Sequence, residues 1–136
     1  MDRLTPEQRR TLMSRVKSRN TRPEIAVRRL VWKLGHRYRL HHATLPGTPD
    51  IVFKSKRKII FVHGCYWHRH DCRRGRSTPA TRIDYWLAKF AKNQARDQQV
   101  RRELTETGWS ILVIWECELT DLPAVEAKLA AFLADD

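Results

Sequence analysis

The sequence predicts a mixed α/β fold in which helices flank a central β-sheet. Apolar residues recur at helical spacing in three segments, and short runs of β-branched residues lie between these segments. This order of helix, strands, helix, strand and helix is typical of mixed α/β proteins. A chain of 136 residues suits one domain spanning 1–136, because a core of that size buries roughly two-thirds of the surface that the unfolded chain exposes.

Residues 1–20 are expected to form a basic N-terminal arm. Seven basic residues and only two acidic ones occur within 1–22. Thr5-Pro6-Glu7-Gln8 has the pattern of a capping box with proline at the first helical position, so part of the arm is expected to be helical. A flexible, solvated tail is the alternative, because charge runs are often disordered.

A second capping box, Thr21-Arg22-Pro23-Glu24, predicts the start of the first clear helix. The helix is expected to end at Gly35 and to pack one apolar face on a core. That face consists of Val27, Leu30, Val31 and Leu34. A short strand is predicted at 37–41, and the turn-rich segment 45–49 leads to Asp50.

Two strands, 51–53 and 59–62, are predicted to pair as an antiparallel hairpin, because both are apolar and the residues between them are polar. Residues 63–80 are rich in His, Cys, Arg and Pro and show no periodicity, which indicates a loop held by something other than a core.

A second helix is predicted from Thr81 to about Leu104. Its apolar stripe is expected to be buried and to continue through polar positions. The apolar members are Ile83, Trp86, Leu87 and Phe90, and the polar ones are Asn93, Gln94 and Asp97. An apolar strand at 111–115 follows. A closing helix is lined by Val125, Leu129, Phe132 and Leu133.

The charge of the chain predicts a polyanionic partner. Twenty-seven Lys and Arg residues face 15 Asp and Glu residues, giving a formal net charge of +12. Nucleic acid is the favoured partner, and a merely soluble basic surface is the alternative. Because the chain has no 18-residue apolar run and its first residues do not resemble a signal peptide, we expect a cytosolic protein without a membrane span.

Three cysteines and two histidines form a candidate zinc site. Cys65 and Cys72 flank His68 and His70, and Cys117 follows the last predicted strand. Three thiolates and one imidazole close a zinc tetrahedron and leave no position for a substrate water, so this Zn²⁺ would be structural. His70 is the preferred fourth ligand and His68 the alternative, while a buried free thiol is the alternative for Cys117.

Asp50 is the candidate ligand of a catalytic Mg²⁺. Pro49-Asp50 followed by two short strands resembles the start of a metal-dependent nuclease core, with Glu24 upstream and His63 and His68 downstream. Phosphodiester hydrolysis needs charge neutralisation, an activated water and help for the leaving oxygen, which metal, imidazole and carboxylate supply. The local alternatives are a turn residue after proline for Asp50 and a capping residue for Glu24.

Four segments resemble the very-short-patch (Vsr-type) mismatch repair endonucleases. They are Leu-Pro-Gly-Thr-Pro-Asp-Ile-Val-Phe (45–53), Phe-Val-His-Gly-Cys-Tyr-Trp-His-Arg-His-Asp-Cys (61–72), Pro-Ala-Thr-Arg (79–82) and Val-Ile-Trp-Glu-Cys (113–117). The resemblance covers nearly the whole chain. It implies a restriction-endonuclease-like core with a zinc-anchored loop at 63–80. It also implies a nick 5′ to the T of a T:G mismatch formed by deamination of 5-methylcytosine.

The resemblance further implies the roles of individual residues. Asp50 and the backbone carbonyl of Val62 would bind Mg²⁺, His68 would activate the attacking water, and His63 and Glu24 would orient waters, metal or leaving group. The implied zinc ligands are Cys65, His70, Cys72 and Cys117.

On the DNA side, the resemblance implies that Tyr66 and Trp67 wedge into the base stack beside the mismatch. Met13 in the arm would enter from the opposite groove, and Lys89 and Asn93 would lie near the mismatched bases. The implied partners are mismatched double-stranded DNA, mismatch-repair proteins and an associated cytosine-5 methyltransferase, with the enzyme acting as a monomer.

Two departures and two rival functions accompany this interpretation. Val62 stands where some family members have Thr, and residues 73–76 are more basic than the corresponding family segment. A zinc-stabilised DNA-binding module without catalysis is one rival, but it leaves Asp50, His63 and His68 without a role. The other is a nickase or modification-linked endonuclease of different specificity, because a shared scaffold does not determine the substrate.

Overall fold

The structure, a computed structural model, describes residues 21–41, 44–73, 75–77 and 79–134. The predicted basic arm, with its capping box and Met13, lies outside these residues. The elements in chain order are α1 (Arg22–Lys33), β1 (Arg39–Leu40), β2 (Ile51–Phe53), β3 (Lys58–His63), α2 (Cys65–His68), α3 (Ile83–Glu106), β4 (Ser110–Trp115), a 3₁₀ helix (Glu116–Thr120) and α4 (Leu122–Leu133).

The four strands form a mixed sheet in the order β1-β2-β3-β4. The pairs β1–β2 and β2–β3 are antiparallel, as the predicted hairpin requires, whereas β3 and β4 are parallel. A parallel pair needs a long crossover connection, and the chain between 64 and 109, which contains α3, supplies it. The predicted mixed α/β class is confirmed.

Helices cover both faces of the sheet. On one face, strand residues such as Ile51 and Ile60 pack against Val27 of α1 and Leu129 of α4. On the other face, the strand residues next to them pack against Leu104 of α3. Successive strand side chains point to opposite faces, so two covered faces require an uninterrupted apolar run. This explains why 51–53 and 59–61 show no polar alternation.

Helix α3 buries only part of its predicted stripe. Phe90 and Leu104 are buried, whereas Ile83 and Leu87 are each 46% exposed, so the prediction is wrong for the first turns. A helix of 24 residues is roughly 36 Å long, and a six-residue strand such as β4 spans about 20 Å. The first turns therefore extend beyond the sheet and pack on α2 instead.

The predicted loop 63–80 contains the four-residue helix α2. Arg69 ends it in the left-handed conformation, at φ 54°. The chain then turns back, and the His70 N–H donates to the carbonyl of Cys65 at 3.0 Å. A helix this short has no stability in isolation, because the free-energy cost of nucleating a helix exceeds the stabilisation that a single turn provides. Its sequence therefore has no helical signature.

None of the described helices combines the length and the apolar composition that crossing a bilayer requires.

Candidate active site and cysteine cluster

Asp50 lies immediately before β2, beside the end of β3. Its Oδ2 accepts a hydrogen bond from the backbone N–H of Val62 at 2.7 Å. Val62 extends β3 past the last residue that pairs with β2, so its N–H has no strand partner on that side. The Asp50 carboxylate accepts from this N–H where a backbone carbonyl of β2 would otherwise do so. The bond fixes the position of the carboxylate at the end of the β2–β3 pair.

Glu24 reaches the same place from α1 and is almost fully buried, at 2% exposure. Thr21 caps the helix, because its Oγ1 accepts from the backbone N–H of Glu24 at 3.4 Å. The Glu24 side chain turns inward. Its Oε2 lies 2.9 Å from Nη2 of Arg28, and its Oε1 lies 2.5 Å from Nε2 of His41. Glu24, the glutamate of the predicted capping box, is thus also a residue of the candidate site.

The two carboxyl groups have opposite pKa shifts. Burial raises the pKa of Asp50 to about 7, although the hydrogen bond from Val62 opposes this, and neighbouring Glu24 raises it further. Burial also acts to raise the pKa of Glu24, but hydrogen bonds with His41 and Asp50 and the charge of Arg28 lower it overall. Burial and the repulsion between two ionised carboxylates in contact therefore make Asp50 lose its proton only around neutral pH. A divalent cation would replace that proton.

His63 and His68 stack face to face, with ring centroids 3.8 Å apart and planes at 2°. Nδ1 of His68 lies 2.6 Å from Oδ2 of Asp97 on α3. When the ring is neutral, Nδ1 donates to this carboxylate and Nε2 keeps its lone pair. Burial lowers the pKa of His63 to about 4, and the charges of His68 and Arg101 act in the same direction. His63 is therefore neutral at pH 7.

A cavity of about 700 Å³ joins the carboxylates to the histidines. Asp50 and Val62 line one part of it, and His63, His68 and Asp97 line another. Arg96 and Arg101, both on α3, also face this space. The cavity therefore combines acidic groups that suit a cation, an oriented imidazole and cations that suit a phosphate.

The four residues predicted as zinc ligands form a separate cluster. One donor atom from each of Cys65, His70, Cys72 and Cys117 lies within 4.8 Å of the others. Sγ of Cys117 is 3.5 Å from Nδ1 of His70, and Sγ of Cys65 accepts from the Cys117 N–H at 3.3 Å. Of the two histidines left open by the spacing, His70 joins the cysteines and His68 joins Asp97.

The thiols of this cluster favour a cation. Burial raises the pKa of Cys65 to about 12, and hydrogen bonds with the thiols of Cys117 and Cys72 raise it further. Three thiols in contact cannot ionise together without a positive charge among them, whereas a bound divalent metal deprotonates them. The donor set and its spacing fit Zn²⁺.

The aromatic residues Tyr66 and Trp67 are half-buried and pack against α3. Tyr66 meets Phe90 at 5.3 Å between centroids, and Trp67 meets Trp86 at 6.1 Å. The predicted DNA contacts lie beside them: Nδ2 of Asn93 donates to the carbonyl of Trp67 at 3.4 Å, and Nζ of Lys89 lies 5.4 Å from the Trp86 ring. The structure brings these residues together, while Met13 lies outside the described residues.

Sequence reasoning missed His41 and Asp97 as site residues. Asp97 carried a signal, because it is a charged residue that continues the predicted apolar stripe of α3. His41 carried none, since it follows the short strand β1 without a motif around it, and only the fold brings it to Glu24, 17 positions earlier.

The chain is similar to known proteins along most of its length. The family model for the DNA mismatch endonuclease Vsr matches residues 1–74. The chain is 55% identical over 132 residues to the type II nicking enzyme V.XorIIP of Xanthomonas oryzae pv. oryzae, covering 97% of this chain and 96% of the relative. It is 38% identical over 128 residues to the type II nicking enzyme V.NmeAIP of Neisseria meningitidis, covering 94% and 91%.

The DNA mismatch endonuclease Vsr of Escherichia coli is 41% identical over 107 residues, covering 79% of this chain and 68% of the relative. The match to the family model spans more than half of the chain, and the relatives align along most of their own length. The chain belongs to the Vsr family of DNA mismatch endonucleases.

Proposed function

We propose that this protein is a Mg²⁺-dependent endonuclease that nicks one strand of DNA, 5′ to the T of a T:G mismatch left by deamination of 5-methylcytosine. The single observation that supports this most strongly is the shared cavity, in which Asp50 faces the paired His68 and Asp97. A DNA-binding module without catalysis would not need a buried carboxyl pair beside an oriented imidazole. The mismatch substrate is supported by the names of its relatives.

The positions of the side chains support a hydrolytic step with His68 as the general base. The Nε2 atom of His68 accepts a proton from the attacking water, while Asp97 holds Nδ1–H and stabilises the imidazolium that forms. The bond from phosphorus to the 3′ oxygen breaks as the bond to the water oxygen forms. Neutral His63 stacks on His68 and keeps its ring in place. The departing 3′ oxygen takes its proton from solvent.

Asp50 and the backbone carbonyl of Val62 would hold Mg²⁺. In an extended strand the N–H and C=O of one residue point to the same side, so the carbonyl of Val62 faces Asp50 as its N–H does. Glu24, held by Arg28 and His41, would orient a water of the ion. When bound, the ion neutralises charge on the phosphate and favours departure of the leaving oxygen.

Zn²⁺ would be held by Cys65, His70, Cys72 and Cys117 as a structural ion. Its effect would be local: α2 carries Tyr66, Trp67 and His68, and the cluster fixes both ends of the segment that contains them. We propose that an associated cytosine-5 methyltransferase and mismatch-repair proteins act with the enzyme, which binds double-stranded DNA as a monomer.

A nicking assay tests the proposal. With Mg²⁺, a labelled duplex containing one T:G pair should be cut only in the T strand, and excess EDTA should prevent cutting. The matched C:G duplex of the same sequence is the control. Binding to the T:G duplex without cutting under any Mg²⁺ concentration would indicate a non-catalytic module. Equal cutting of matched and mismatched duplexes would indicate a nuclease of other specificity.

The proposed wedge predicts a selective defect in Trp67→Ala. Stacking of a base on an aromatic ring contributes about 1–3 kcal/mol, so the affinity for a T:G duplex should fall roughly 10- to 100-fold. The affinity for matched duplex, which depends on phosphate contacts, should change little. Both affinities are measured by fluorescence anisotropy in EDTA.

Trp32→Ala is the matched control, because Trp32 is 61% exposed on α1. It is distant in sequence from Trp67 and from the α3 aromatic residues on which Trp67 packs. The packing of Trp67 on Trp86 makes a structural role the competing explanation. In that case Trp67→Ala would lose affinity equally for matched and mismatched duplexes and would melt at a much lower temperature.

A further inference from the structure

We propose that Arg101 binds the phosphate at which the chain cuts DNA. This assignment rests on the proposed nicking function and adds a substrate-binding residue to it. Arg101 lies on α3 and lines the same cavity as Asp50, His63 and His68. Arg101 is neither a proposed metal ligand nor a proposed base contact, and its positive charge also helps to keep His63 neutral.

Helix geometry explains why the guanidinium is available. Asp97 lies four residues before Arg101, a spacing at which an acid and a base on one helix face form an ion pair. Asp97 instead turns its carboxylate to His68, with Oδ2 2.6 Å from Nδ1. Among the described residues, none forms a hydrogen bond or ion pair with Arg101. The interaction between Asp97 and His68 therefore leaves a charged donor facing the cavity.

The chemistry of the cavity identifies the ligand. Arg101 is exposed, so its charge costs little to hold, and its planar donors suit the paired oxygens of a phosphate. The second arginine of the cavity, Arg96, is turned toward Asn93, with Nη2 3.3 Å from its Oδ1. Arg101 lies about one helical turn from Asp97 and lines the same cavity as His68. Its charge would stabilise the phosphate as negative charge accumulates during attack.

Arg102 provides a matched control. It is the next residue of α3, it carries the same charge, and it is also exposed. Successive residues of an α-helix point about 100° apart, so Arg102 leaves the face that carries Asp97 and Arg101. Arg101→Gln and Arg102→Gln each remove one positive charge from the same helix. Any difference between them therefore reports position and not net charge.

The test has a cleavage arm and a binding arm. In single-turnover nicking of a T:G duplex at saturating enzyme, Arg101→Gln should be slower by about 10- to 100-fold, because a charge-assisted contact to the reacting phosphate is lost. Arg102→Gln should nick at nearly the wild-type rate. Arg101→Lys should recover part of the rate, since it restores the charge but not the planar pair of donors.

The binding arm uses EDTA and T:G duplexes already nicked 5′ of the T, with either a phosphate or a hydroxyl at that 5′ end. Wild type and Arg102→Gln should bind the phosphorylated duplex more tightly, by about tenfold, and Arg101→Gln should lose this preference. No preference in wild type, or equal behaviour of the two glutamine variants in both arms, would overturn the assignment. Because binding needs no cleavage, this arm decides the role of Arg101 even if wild type fails to nick.

Discussion

Asp50→Ala should bind a T:G duplex and fail to nick it. Asp50 accepts from the Val62 N–H at 2.7 Å and contacts Glu24, and we propose that its carboxylate binds the cation and makes no contact with the bases. Loss of that ligand should reduce the single-turnover nicking rate by at least about 10³-fold, because charge on the phosphate is no longer neutralised. Affinity in EDTA, measured by anisotropy, should stay close to that of wild type.

Glu106→Ala is the control for this substitution, since Glu106 is an exposed carboxylate at the end of α3 and should leave nicking unchanged. His68→Ala should also nick slowly, by about 10²- to 10⁴-fold, if His68 is the general base. A rate for Asp50→Ala within about tenfold of wild type, a change that mere distortion could produce, would show that Asp50 is only the turn residue that its place after proline suggests.

Cys117→Ser should lose zinc and most of its stability. The cluster joins the end of β4 to the segment that carries α2, and residues 69–73, which follow α2, include no buried apolar side chain. Structural zinc contributes roughly 10–16 kcal/mol in small zinc domains, as much as the entire net stability of many proteins, about 5–15 kcal/mol. Zinc content by elemental analysis and thermal melting by circular dichroism measure both effects.

Cys117→His serves as the second variant, because imidazole is also a zinc ligand and should retain part of the metal. If Cys117 is instead a thiol that binds no metal, Cys117→Ser should give a different result. Serine is nearly isosteric with cysteine, so Cys117→Ser would then remain folded with a small loss of stability. Folded, active wild-type protein that contains no zinc would refute the metal assignment outright.

Several parts of the fold were predictable from local patterns. The first helix has a capping threonine, an apolar face and a glycine stop, and the structure places it at Arg22–Lys33. The hairpin of β2 and β3 follows from two β-branched runs around a polar turn. These features are predictable because residues close in the chain determine them. The stripe of α3 was predicted wrongly at Ile83 and Leu87, since periodicity does not show where the sheet beneath a helix ends.

The sequence by itself determined which chemical groups are present: a Cys and His set suited to zinc, an acid before a strand, two histidines after the next, and a strongly basic chain. Tertiary structure alone decided how they are combined. It separated His68 from His70 by joining one to Asp97 and the other to Cys117, brought His41 to Glu24, and left Arg101 facing the cavity. The physical reason is that these pairings join residues far apart in the chain, and their distances are set by packing on the two faces of the sheet.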